Sequence, residues 1–530
     1  MSSNLSDTPT SVVGAGQHRA PAGTGPEPHK WWTLVSVCLG TFMLLLDVTI
    51  VNVALPDIQT SLSSSFSSLQ WVVDAYALTL AALLLTAGSL ADLYGRRRLY
   101  LIGLVLFTLA SAACGAATST LFLQISRAVQ GIGGAVVFAT SLALLAGAFR
   151  GKDRGVAFGI WGAVTGLAVA IGPLLGGVLT SGLSWRWIFF VNIPIGVVAV
   201  AITAARVAES RSPAARRPDW LGFVLFTAAL ASLVYGLIES GERGFGSTQV
   251  IICLVAAGVL LLAFVVAEAH SSHAMFDLSL FAKPTFTGGS LAAFGINGSI
   301  FAVLLYLVLY LQDILGYSAL GTGIRLLALS GAILVVSTVT GRISSHVPAR
   351  LLVGLGLVVI GVGLLLMRGL DASSTWTHLL PGLIVAGVGS GMVNPPLAST
   401  AIGVVAPQQA GMASGINSTF RQVGIATGIA LYGTLFASRV TSGVVSGLAS
   451  VPGMSGRGEQ VATAVRSGGL GSVLAQLPAA ERGPVAHVAA AAFTAGLDRL
   501  FLISGGVALV AGALALVLIR GKDFVAHGRS

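Results

Sequence analysis

Long apolar runs alternate with short polar breaks along almost the whole chain. After a Ser-, Pro- and Gly-rich opening, apolar stretches recur at 31–54, 69–90, 98–117, 120–147, 156–180, 187–206, 218–238, 249–268, 285–312, 322–343, 350–367, 378–399, 410–437 and 500–520. Each is about 20 residues or longer, the length a helix needs to cross a bilayer. The pattern therefore predicts fourteen membrane helices, with both chain ends on one side because the number is even. The first stretch is long enough to span and has no small-residue cleavage pattern after it, so no cleavable signal peptide is expected. One break is unusual. Residues 88–99 read GSLADLYGRRRL, a turn holding Asp92 and three consecutive arginines between two apolar stretches. Such a turn belongs at a membrane surface, where Gly88 and Gly95 permit close helix approach and a sharp bend.

Composition agrees with the pattern. The 530 residues are 55% hydrophobic and 9% charged, with a mean hydropathy of +0.89, whereas a soluble domain carries about 25% charge. The expected class is an all-α polytopic membrane protein. The net charge of +10 is scattered through the breaks, so it gives no sign of nucleic-acid binding. With the N-terminus inside, eighteen Lys and Arg residues lie in inner loops and tails, and only Arg186, Arg243 and Arg368 in short outer loops. The positive-inside rule therefore places both termini in the cytoplasm. Arg greatly outnumbers Lys, and Ala and Gly abound, which points to a GC-rich bacterial genome and hence to the bacterial inner membrane. Cys38, Cys114 and Cys253 all lie in apolar stretches, so neither a disulfide framework nor a metal cluster is indicated.

The domain scheme is a cytoplasmic tail over 1–30, a six-helix bundle over 31–206, and a linker with an inserted helix pair over 207–268. A second six-helix bundle over 269–520 and a tail over 521–530 follow. The second bundle includes a long outer connection, 438–499, open to reading as a surface helix or a plain linker. A faint internal repeat supports the two halves. GRISSHVPAR at 341–350 echoes the 88–99 turn, with Gly341 at the place of Gly88, Ser345 of Asp92, Pro348 of Gly95 and Arg350 of Arg97.

Candidate chemistry lies in the ionisable residues inside apolar stretches, which are costly and mark functional sites by default. Asp47, in LLLDVTIVNVALP, sits about 12 Å inside one end of the first span; Arg127, about 10 Å deep, and Asp74, about 8 Å, lie at similar depths in spans four and two. A buried arginine needs a partner, and Asp47 and Asp74 are the acids available to it. The alternatives stay open: Asp47 satisfied structurally by Thr49, Asn52 or a neighbouring helix, and Asp74 facing outer water. Span five carries Gly166, Gly172, Pro173, Gly176 and Gly177, a small-residue face that permits close packing and a Pro kink. Asn52, Gln130, Tyr306, Asn417 and Arg421 are candidates for lining a substrate cavity.

Five strings in order, LDVTIVNVALP, GSLADLYGRRR, RAVQGIGGA, GPLLGG and SWRWIFFVNIPIG, resemble the fourteen-span drug:proton antiporters of the major facilitator superfamily. The turn departs from the family at Leu93, where a basic residue is usual. The resemblance covers 31–437 and the final span. It implies a major facilitator fold of two six-helix bundles plus an inserted pair, rocking around a central site. It implies that Asp47 and Arg127 couple protons; Asp74 joins them as a candidate on its depth alone. It also implies that Gly88, Asp92, Gly95, Arg96 and Arg97 form a conformational gate, and that the Gly172–Pro173 region marks antiport.

The function expected is export of amphipathic drugs or dyes in exchange for protons, with a dedicated exporter of one metabolite or lipid as the alternative. No cofactor beyond the proton gradient and no metal are expected. The expected partners are an amphipathic small molecule, protons and membrane lipid, with no nucleic acid, and the chain acts as a monomer. Other classes fit poorly. An ATP-driven pump needs a Gly-x-x-x-x-Gly-Lys-Ser/Thr loop, and the nearest string, FRGKDR at 149–154, lacks its glycine spacing and hydroxyl. An enzyme needs clustered histidines or a nucleophile–base pair, yet the eight histidines lie almost entirely in tails and loops. A channel would not need an intramembrane ion pair and a repeated gate.

Overall fold

The computed structural model describes residues 29–64, 66–149, 151–210, 219–270, 278–344, 346–405, 409–451, 454, 456–467 and 469–524. Among these residues every regular element is a helix. The first half contains α1 (His29–Leu62), α2 (Phe66–Tyr94), α3 (Arg96–Gly115), α4 (Thr120–Ala148), α5 (Gly151–Gly182) and α6 (Trp187–Arg206, interrupted at Val191). Two further helices follow, α7 (Trp220–Arg243) and α8 (Thr248–His270). The second half contains α9 (Pro284–Ile314), α10 (Ala319–Ile343), α11 (Ala349–Leu366), α12 (Leu380–Gly403), α13 (Ala410–Leu448) and α14 (Ala479–Leu518).

Local chemistry sets many of the boundaries. The side chains of Ser119, Asp219 and Ser318 accept from the backbone N–H groups of Phe122, Gly222 and Gly321, capping α4, α7 and α10. Pro284 opens α9, where the missing N–H costs nothing. Gly95, at φ +108, turns the chain sharply between α2 and α3. Two single π-turns, Asn297–Phe301 and Tyr310–Ile314, interrupt α9, and Pro395 and Pro396 lie inside α12.

The architecture is two six-helix bundles, α1–α6 and α9–α14, with α7 and α8 packed on each other and α7 against α2 and α13. Between the bundles α5 packs along α10, and α13 packs against α2 and α4. Twelve helices are long and apolar enough to cross a membrane, or thirteen with the two limbs of α2, bent by 51°, taken as one span. The expected fourteenth, α5, is a 32-residue helix. Charged residues and helix ends divide the molecule into a basic end, where α1 starts, α14 stops and Arg96–Arg98 lie, and an opposite end.

The 438–499 connection is helical over most of its described length. α13 continues to Leu448, α14 begins at Ala479, and two short helices, Gly458–Ser467 and Leu470–Gln476, pack across them. Val440, Val444 and Leu448 bury against Val485, Ala489 and Phe493, with Val461 and Val465 closing the core. The expected tails at 1–30 and 521–530 fall largely outside the described residues, as do 211–218 of the linker and Ser345 of the repeat.

Candidate functional site

α1, α3, α4 and α6 converge on one polar cluster. Asp47 is fully buried, and Arg127 is 1% exposed. Arg127 Nη1 donates to Asp47 Oδ2 in a direct ion pair. The same guanidinium donates from Nε to the Val72 carbonyl at 3.0 Å and from Nη1 to Gln130 Oε1 at 2.7 Å. Asp47 Oδ1 accepts from Gln130 Nε2 and from Asn192 Nδ2, each at 2.9 Å. Ser111 Oγ lies 2.6 Å from Gln130 Nε2 and 3.3 Å from Asn192 Nδ2, so it accepts from both amides. The guanidinium carbon stands 4.3 Å from the centre of the Tyr76 ring, a cation–π contact strengthened by the absence of water.

A buried ion pair is held only when the remaining lone pairs and protons also find partners. Here three side-chain donors meet the carboxylate. The sequence singled out Asp47, Arg127 and Gln130 but not Ser111, Tyr76 or Asn192. Asn192 follows directly on the interruption in α6 and is the one neutral amide in IFFVNIPIG, a signal present in the string itself. Asp74 is half-buried on α2 and is not among the groups that Arg127 contacts. The structure thus joins Arg127 to Asp47 rather than to both acids.

The charged turn is built at the basic end. Asp92 Oδ1 accepts from Arg96 Nε at 2.9 Å and Nη2 at 2.8 Å, and both residues are buried. Its other oxygen, Oδ2, accepts from the backbone N–H of Met412 at 3.0 Å, in the first turn of α13, where helix N–H groups lack internal partners. Nearby, Ser414 Oγ donates to the Ala139 carbonyl at 2.9 Å. These two bonds join the first bundle to the second. Arg97 does not bond to Asp92. It donates to the Thr203 and Ala204 carbonyls at 3.2 and 2.6 Å, closing the last turn of α6. Glu209, absent from the sequence reading, accepts from the backbone N–H groups of Arg97 and Arg98 at 3.1 Å each. Gly88 is buried on α2.

The glycines of α5 allow backbone contact between the bundles. A Cβ at Gly159 would stand 2.8 Å from Gly341 Cα, and one at Gly166 2.8 Å from Ile333. Gly172 faces Thr49 of α1 without room for a methyl, and Gly176 and Gly177 are buried. The side chains of Pro173 and Asn52 lie outside the described residues.

A narrow central cavity is lined by Thr165 and Gly166 of α5 and, across from them, by Ile300, Phe301, Leu304, Leu329, Ser330, Ile333, Ser390 and Asn394. Of the candidates for its wall, Asn417 and Arg421 stand behind Asn394, bonded through Arg421. Gln130 belongs to the ion-pair cluster instead, and Tyr306 packs against Phe436, with ring centres 5.0 Å apart. Among the described residues no group of His, Cys, Asp and Glu has a metal-site arrangement.

Two helical bundles meeting across a central cavity, with an ion pair buried deep in the first, define a polytopic membrane protein built to transport. The Major Facilitator Superfamily model matches residues 37–429. The chain is 40% identical to the Multidrug resistance protein Stp of Mycobacterium tuberculosis over 77% of its length and 76% of that protein's. It is 36% identical to the Puromycin resistance protein pur8 of Streptomyces alboniger, covering 78% and 82% of the two chains. It is 31% identical to the Tetracenomycin C resistance and export protein of Streptomyces glaucescens, covering 97% and 95%. Among solved structures, the human organic anion transporter MFSD10 (TETRAN) superposes with a TM-score of 0.61 over 93% of this chain and all of that one; at 15% identity this likeness shows the fold alone. The chain belongs to the major facilitator superfamily, and its relatives are drug efflux transporters.

Proposed function

We propose that the chain exports amphipathic small molecules from a bacterial cell in exchange for protons, as a monomer working by alternating access. The observation that carries the proton half is the fully buried Asp47–Arg127 pair with its Gln130, Asn192 and Ser111 supports. A carboxylate held only by donors is poised to take a proton when the guanidinium withdraws. Protonation weakens the pair and biases the bundle toward a second arrangement. Asp92, Arg96, Gly95 and Gly88 act as the gate in this reading, with Arg97 fastening the neighbouring helix end. The bonds of Asp92 to Met412 and of Ser414 to Ala139 then hold the cytoplasmic end shut. The basic end is the cytoplasmic one by the positive-inside rule, which puts both termini there. The close approach of α5 to α10 through Gly159 and Gly166 is the hinge about which the bundles rock.

The export half is supported by relatives whose names cover both multidrug resistance and resistance to single antibiotics. The test is efflux of ethidium from proteoliposomes under an imposed pH gradient, for the wild type, Asp47→Asn and Arg127→Ala. Uphill efflux that collapses with an uncoupler and in both variants is the expected result. Gradient-driven efflux that persists in Asp47→Asn would overturn the coupling site. A panel of unrelated dyes, all refused by folded wild type, would replace a broad exporter with a dedicated one.

A further inference from the structure

The second bundle contains a buried guanidinium that, among the described residues, pairs with no acid. Arg421 is 6% exposed, yet its described bonds run only to two neutral amide oxygens: Nε to Asn417 Oδ1 and Nη1 to Asn394 Oδ1, both at 3.2 Å. Its Nη2 has no partner, and neither do the neighbouring Asn417 Nδ2 and Ser390 Oγ. Arg421 stands eleven residues into α13, a depth of about 16 Å. Among the described residues, the acids of this half other than Asp498 lie toward helix ends or beyond them. Asp313 is in the last turn of α9, and Asp371, Glu459, Glu481 and Asp523 are in connections or first turns. Asp498 is held by the N–H groups of Gly369 and Leu370. Among the described residues no acid forms an ion pair with Arg421.

A guanidinium stays protonated in proteins, so this charge cannot be shed. Amide oxygens satisfy two of its five N–H groups but bring no negative charge, and an uncompensated buried charge is expensive. Its planar fork matches a carboxylate or sulfonate better than any neutral group. Asn394 and Ser390 both line the central cavity, and Arg421, its Nη2 unbonded, stands directly behind Asn394. We propose that Arg421, Asn394, Asn417 and Ser390 form an oxyanion subsite that anchors the carboxylate-type group of a substrate seated in the central cavity. The proposal rests on the export reading and adds to it a charge class for the cargo. It also separates two of the buried arginines: Arg127 is neutralised by the protein's own Asp47, Arg421 by the cargo.

The test is binding of two dyes with the same xanthene skeleton, anionic carboxyfluorescein and cationic rhodamine 6G, to the purified full chain in nanodiscs, read by fluorescence anisotropy. In Arg421→Gln the dissociation constant for carboxyfluorescein is expected to rise at least tenfold more than that for rhodamine 6G. Asn394→Asp covers the case in which Arg421→Gln fails to fold. It sets a carboxylate 3.2 Å or less from Nη1, fills the subsite from within, and is expected to give the same selective loss. Sodium acetate at matched ionic strength separates the sources of the anion. If acetate displaces carboxyfluorescein, a free carboxylate suffices; if it does not, the apolar body of the cargo is required. Equal weakening of both dyes, no weakening of either, or no carboxyfluorescein binding to the wild type would overturn the subsite. Proton-driven efflux of rhodamine 6G by the wild type is scored separately. Its presence without anion binding removes the subsite alone, and its absence with both dyes removes the export reading beneath it.

Discussion

Replacing Asp47 with Asn removes one charge and almost no volume, so it isolates the value of the buried pair. The Asp47 carboxylate accepts three bonds: Arg127 Nη1 on Oδ2, and Gln130 Nε2 and Asn192 Nδ2 on Oδ1. An asparagine offers one oxygen and one NH₂. With its oxygen toward Arg127, the NH₂ meets two other amide donors; with the amide reversed, it meets the guanidinium. The first arrangement is the better one because Asn192 Oδ1 is unbonded in the native protein. Asn192 can flip and accept from the new NH₂, so one of the two clashes is relieved. What remains is one lost bond at Gln130 and a buried guanidinium with no countercharge. Breaking a buried pair from one side costs about 3–5 kcal/mol.

The assay is unfolding of the purified protein in mixed micelles by increasing sodium dodecyl sulfate, followed by the fluorescence of Trp161 and Trp185, both buried in the first bundle. Asp47→Asn and Arg127→Gln are each expected to lose about 3–5 kcal/mol. The double variant carries no buried charge at this place, so it is expected to lose less than the sum, with a coupling of about 2 kcal/mol or more. Single losses under about 1 kcal/mol, adding without coupling, would show that the pair is hydrated and would refute the reasoning.

Two further outcomes follow from the basic end. Gly341→Leu drives a side chain into the Gly159 backbone, where even a Cβ would stand 2.6 Å from Gly159 Cα. The prediction is that α5 and α10 part there, read as at least tenfold faster maleimide labelling of a cysteine placed at the buried Ser337; unchanged labelling would mean the contact is dispensable. Thr285 donates from its hydroxyl to Asp523 at 2.7 Å and holds that exposed carboxyl below the usual carboxylate range. A lowered carboxyl contributes fully above its ordinary value and loses the contribution as pH falls through the lowered one. Thermal midpoints of the wild type and Asp523→Asn should therefore converge on acidification from about pH 5 to about pH 3, and a constant difference would show that the bond does not depend on the charge.

Much of this fold is legible because the bilayer leaves few choices: a buried backbone must bond to itself, so apolar length alone marks the helices. The reading stops where helices leave the apolar zone. The end of α13 and the start of α14 are Ala- and Ser-rich, and mean hydropathy reports them as loop. A spacing of four, in Val440, Val444 and Leu448 and again in Val485, Ala489 and Phe493, records the buried face that keeps them helical. The site divides in the same way. Asp47 and Arg127 stand out as charges in hydrocarbon. Ser111, Tyr76 and Asn192 do not, because neutral polar groups cost less to bury and recur in structural roles. Pairing is a tertiary fact: two acids lay at the right depth for Arg127, and only packing selects Asp47.

The proposed coupling pair and the closing contacts share helices, and this bears on how a proton at Asp47 is felt at the far end. α4 carries Arg127 and, twelve residues on, Ala139, whose carbonyl accepts from Ser414. At 1.5 Å per residue that is about 18 Å of uninterrupted helix. α2 also touches both places, through Val72 at Arg127 and Asp92 at Met412, but it bends by 51° between Leu84 and Thr86. A straight helix passes a shift at one end to the other, whereas a bent one absorbs part of it. Release of Arg127 therefore acts on the closed end chiefly through α4 against α13. In the proposed cycle the bistable element is that interface, and the Asp92–Met412 bond would be the latch it must overcome.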